Sequence, residues 1–121
     1  MKVKSMTEIG QIDVDQDGVL EVFYQVQTGQ GFDILLKQNV EGQDYFVKLS
    51  PHDEDVITNL VLDTGAGTLA YSYTDKHHHR GGKGGSGRTY HGKNFLDRDD
   101  IMRIASRQIK SGGVKVELPT G

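Results

Sequence analysis

Through most of the first 75 residues, apolar and polar positions alternate with a period of two rather than 3.6. The runs "EIGQIDV", "VLEVFYQVQ", "FDILLKQ" and "DYFVKLS" are separated by "DQDG", "TGQG" and "NVEG". Turn signals at this spacing, about every 12 residues, mark short antiparallel strands. Each turn places Gly near Asp, Asn, Gln or Glu, which suits the tight or positive-φ positions of a hairpin. The alternation assigns Leu20, Val22, Tyr24 and Val26 to one face and Glu21, Gln25 and Gln27 to the other. Phe32, Ile34 and Leu36 oppose Asp33 and Lys37, while Tyr45, Val47 and Leu49 oppose Lys48.

Residues 50–74 support two readings. "SPHDEDVITNLVL" has a helix-like start, with Ser50 as N-cap and Pro51 at the first position. The β-branched content and the alternation Leu69, Tyr71, Tyr73 favour a hairpin around "DTGAG". Residues 76–94 lack periodicity and read as a long loop, a kind usually tied to function or disorder. A helix then begins with Asp97 as cap and Asp100 completing a capping box. Ile101, Ile104, Ala105 and Ile109 form its apolar stripe, Arg103, Arg107 and Lys110 a basic one, and Gly112–Gly113 stops it. "VKVEL" reads as a closing strand with Val114, Val116 and Leu118 inward. The expectation is a single domain over 1–121 of the α+β class and rich in β: an antiparallel meander (1–75), a basic loop (76–94), then one C-terminal helix and a closing strand (97–118). The meander would form a sandwich or a small open barrel.

Charge sharpens this picture. Residues 1–75 carry 13 acids and 4 bases, and residues 76–121 carry 4 acids and 10 bases, so the halves are −9 and +6. Such asymmetry points to a polyanion partner, to pairing between copies, or to neutralisation within one domain. With no Cys, disulfides and thiolate chemistry are excluded. No apolar run is long enough to span a membrane and none follows the basic start as in a signal peptide, so the expected location is cytoplasmic, or a virion.

Three motifs carry candidate chemistry. In "DVDQDGVLEV", Asp13, Asp15, Asp17 and Gly18 occupy the first, third, fifth and sixth positions of a calcium loop. Glu21 stands at the ninth, but Tyr24 takes the twelfth, where a helix–loop–helix site needs Glu. The expectation is an acidic hairpin turn, with weak calcium binding as the alternative. "LVLDTGAGT" resembles the active-site strip of retroviral-type aspartic proteases, a resemblance that implies Asp63 as one of two catalytic carboxylates in a dimer. It covers nine residues, and the hydrophobic pair plus Gly that the family carries later is replaced here by "RTYHGKNFL". Asp-Thr-Gly-Ala-Gly is also good turn sequence, and a turn is the expectation. The run His77, His78, His79, with Asp75 and His91, offers imidazoles, but without a metal-binding spacing and amid positive charge.

The segment "KHHHRGGKGGSGRTYHGK" (76–93) holds five Lys or Arg, four of the five His and no acid. Gly lets such a chain follow a phosphate backbone closely, and aromatic groups stack on bases. The expected site comprises Lys76, His77, His78, His79, Arg80, Lys83, Arg88, Tyr90, His91 and Lys93, extended by Arg103 and Arg107, with Phe95 near its end. The leading expectation is a non-enzymatic protein binding a polyanion, foremost nucleic acid, with no cofactor and no membrane partner. Docking on an acidic protein surface, as an inhibitor or as a self-assembling virion-type homo-oligomer, is the alternative. A metal-independent ribonuclease using these His, Arg, Lys and Tyr groups ranks third.

Overall fold

The computed structural model describes residues 1–51, 54–75 and 90–119. Among these residues, two antiparallel sheets and one helix make up the fold. Strands β1 (Val3–Ile12), β2 (Glu21–Thr28), β3 (Gly31–Val40) and β4 (Gln43–Lys48) form a four-stranded meander in that order. Strands β5 (Val56–Asp63), β6 (Thr68–Asp75) and β7 (Tyr90–Leu96) form a second meander of three. Helix α1 (Arg98–Lys110) follows and packs chiefly on β4 and β7. The architecture is thus β-rich α+β, with two sheets and no closed barrel.

The main core lies between the sheets. Ile12, Val14, Phe23, Ile34, Leu36, Val47 and Leu49 contribute from the first side, Leu69, Tyr71 and Leu96 from the second, and Ile101 and Ala105 from α1. A smaller cluster of Val3, Val26 and Leu35, with Met6, Tyr24, Phe46 and Val116 around it, covers the other face of the four-stranded sheet. Having both faces covered corrects the face assignment in β2. Glu21 and Phe23 are buried, Tyr24 and Val26 belong to the smaller cluster, and Leu20 lies outside the strand and exposed. It also explains the unbroken run Ile34-Leu35-Leu36, which a sheet wetted on one side would not need.

Asp33 is buried too, held by Ser50 Oγ, which donates to it at 2.8 Å, and by Lys48 Nζ at 3.5 Å. Ser50 also accepts from the Ile34 amide, so it links strands instead of capping a helix. Residues 56–75 are the hairpin and not the helix. The sheets meet where Gly31 (φ 144°) passes the Glu54 carbonyl and where Phe32 and Glu54 form an isolated bridge.

The helix is set by its local signals. Asp97 accepts from the Asp100 amide at 2.9 Å, and Asp100 accepts from the Asp97 amide at 3.1 Å, completing the box. Gly112 and Gly113, at φ 96° and 76°, end it. The expected closing strand shrinks to one parallel bridge, Lys2 with Glu117. Val114 donates to the Phe46 carbonyl on β4, and Val3 donates to that of Glu117. The tail thus runs from β4 to the start of β1, with Val116 in the smaller cluster and Leu118 exposed.

Candidate nucleic-acid interface

The expected loop over 76–94 does not hold at its C-terminal end. Residues 90–94 belong to β7, so Tyr90, His91 and Lys93 are strand residues, and the connection between β6 and β7 comprises residues 76–89. The aperiodic look of "TYHGKNFL" arises because its inward positions are small or polar. Gly92 lies under the Tyr73 ring, where a Cβ would fall 2.4 Å from the ring carbon. Asn94 Nδ2 donates to Tyr71 Oη at 2.9 Å. Burial pushes the Tyr71 phenol up to about 12, so it stays a neutral partner. Leu96 reaches the core.

These inward anchors turn the alternate residues outward. Residues paired across antiparallel strands share a face. The register makes three outward rows: Val56–Thr74–His91, Thr58–Ser72–Lys93 and Val61–Ala70–Phe95. Phe95 is 62% exposed and Val61 58%. The outer face thus presents an aromatic ring, with Lys93 and His91 at two-residue intervals along β7 and the small side chains of Ala70, Ser72 and Thr74 beside them on β6. Asp63 marks the end of this hairpin remote from His91. Its Oδ1 accepts from the Gly65 and Ala66 amides, both at 3.0 Å, which makes the Asp-Thr-Gly strip the turn itself.

Other expected residues fall elsewhere. Tyr90 begins β7 on the inward parity, paired with Asp75. Arg103 is ion-paired with Asp100, one turn back on α1. Arg107 borders a cleft with Lys48, Asn94 and Gln108, on the side of β7 opposite to Phe95. The helix therefore does not extend the His91–Lys93–Phe95 face, because its apolar stripe holds it against the inner side. Lys76, His77, His78, His79, Arg80, Lys83 and Arg88 lie outside the described residues.

Sequence reasoning missed Val61, Ala70 and Ser72 as members of one surface. The alternation in "TLAYSYTD" marks their parity, but only the strand pairing sets them beside Lys93 and Phe95. Compared with known protein families, curated proteins and solved structures, the chain matches none, so the site is read from its own chemistry.

Proposed function

We propose that this protein binds single-stranded nucleic acid on the outer face of the three-stranded sheet, without turning it over. The observation that carries the reading is Phe95, 62% exposed near the end of the edge strand β7 with Lys93 and His91 on the same strand face. An aromatic ring on a flat sheet stacks on a base of any identity, and a neighbouring cation meets the phosphate. Small residues such as Ala70 and Ser72 leave room for a base to lie flat. The 76–89 segment that precedes β7 in sequence carries four more Lys or Arg. Binding of this kind depends steeply on salt and only weakly on base sequence.

Fluorescence anisotropy of labelled single-stranded RNA and DNA, at low and high salt, tests this. Saturable binding that weakens with salt is expected, with Phe95→Ala costing about 5- to 100-fold in affinity. No binding at low salt, or binding indifferent to Phe95→Ala, overturns it. A mass above the monomer that falls when Phe95 is replaced would instead assign the face to a second copy of the chain.

A further inference from the structure

The acidic hairpin between β1 and β2 contains a feature that turn formation leaves unexplained. Its turn is well accounted for: Asp13 accepts from the Asp17 amide at 3.0 Å and the Gly18 amide at 2.8 Å, and Asp17 accepts from the Val19 amide at 2.8 Å. Gln16 and Gly18 take the positive φ values, 59° and 91°, that fold the loop back. Glu21 is different. It is 1% exposed, and its Oε1 accepts from the Val14 amide at 2.7 Å. Its Oε2 is buried without a hydrogen-bond partner, and so is Asp15 Oδ1, whose sister oxygen accepts from Gln38 Nε2 at 3.2 Å.

One carboxylate oxygen from each of Asp13, Asp15, Asp17 and Glu21 lies within 4.8 Å of the other three. Four carboxylates so close repel one another, and a buried unpaired oxygen adds a desolvation cost. None of the four is ion-paired among the described residues. Arg98 approaches, but it donates to the Asp13 backbone carbonyl at 3.4 Å.

We propose that Asp13, Asp15, Asp17 and Glu21 form a binding site for one calcium ion. An all-oxygen, all-carboxylate donor set selects a hard cation. Calcium sits 2.3–2.6 Å from its oxygens, so one ion joins oxygens up to about 5 Å apart, whereas the shorter bonds of magnesium span only about 4 Å. The fourth acid comes at the ninth position of the loop because a strand follows it. The tight hairpin returns the chain at Glu21, and Tyr24, at the twelfth position, turns to the smaller cluster on the other face of the sheet. The unpartnered Oε2 is the buried ligand, and the backbone amides on Asp13 and Asp17 hold the exposed ones in place.

The test is calorimetric titration of the chelator-stripped full chain with calcium chloride and, separately, magnesium chloride, paired with thermal melts. One calcium per chain is expected, bound at least about tenfold more tightly than magnesium, with a raised melting temperature. Glu21→Gln and Asp15→Asn should each weaken calcium binding about tenfold or more. Glu21→Gln should also melt no lower than wild type in chelator, which separates a lost ligand from a lost fold. Absence of heat and of any melting shift at about 10 mM calcium, well above the weakest such sites, overturns the proposal. So does calcium affinity unchanged in both variants, or magnesium bound as tightly as calcium.

Discussion

The two sheets use the same period-two pattern to different ends. The four-stranded sheet is covered on both faces, by the main core on one and by Val3, Val26, Leu35 and the tail residue Val116 on the other. Among the described residues, the core covers the three-stranded sheet on one face, and Val61 and Phe95 are exposed on the other. The first therefore carries stability on both sides, and also the buried acids Glu21 and Asp33. The second can expose an aromatic ring because its inner rows, Leu62–Leu69–Leu96 and Tyr71–Asn94, anchor it. An apolar group does structural work only where something packs over it, and Leu35 and Phe95 are the two extremes.

The sharpest way to break this contrast is Leu35→Ala. If the smaller cluster is a true second core, the loss is about 2–5 kcal/mol, read as a lower urea midpoint at unchanged slope. A loss under about 1 kcal/mol would make that face as open as the one bearing Phe95.

The buried acid of the first sheet gives the next effect. In the fold, burial chiefly, aided by the charges of Asp15, Asp17 and Asp13, pushes Glu21 up from 4.5 to about 7. Between those values the folded chain keeps a proton that the unfolded chain has released. Stability from this group is thus full below pH 4.5 and declines as pH rises to about 7. In chelator the difference between wild type and Glu21→Gln should change by on the order of 3 kcal/mol across that window, measured by urea unfolding. Parallel pH profiles for the two proteins would show that Glu21 is not desolvated.

Gly31→Ala tests the junction of the sheets. A Cβ there would lie 2.4 Å from the Glu54 carbonyl oxygen, at a φ of 144°. A loss of roughly 1–3 kcal/mol is expected in the same assay.

The smallest stability effect belongs to Phe95→Ala, within about 0.5 kcal/mol of wild type, as for a surface residue. Together with the expected loss of nucleic-acid affinity, that would separate the open face from the covered ones.

Much of this fold was legible along the chain. The meander, the hairpin at 56–75 and the helix with its Asp97–Asp100 box follow from signals acting over a few residues. Less legible was β7, because Gly92 and Asn94 occupy the inward positions where an apolar residue would have marked a strand. Their fit depends on Tyr73 and Tyr71, which precede them by 19 and 23 residues. The face of β2 was misread for a related reason: with apolar residues inward on both sides, alternation no longer says which side holds the main core.

The candidate sites divide along the same line. His91 and Lys93 stood out by composition, but their union with Phe95, Ala70 and Val61, and their separation from Arg103 and Arg107, required the strand register and the seat of the helix. Asp13, Asp15, Asp17 and Gly18 announced an acidic turn by spacing alone, whereas the burial of Glu21 beside them did not. By itself the sequence determined β1 to β6, their turns, and the helix with its caps, since these arise from backbone sterics and hydrogen bonds between near neighbours. Only the tertiary structure decided that the strands divide into two sheets, that the described residues cover one sheet on both faces and the other on one, and that a glutamate lies under an acidic loop. Those outcomes depend on which distant surfaces exclude water from one another, a quantity no local pattern contains.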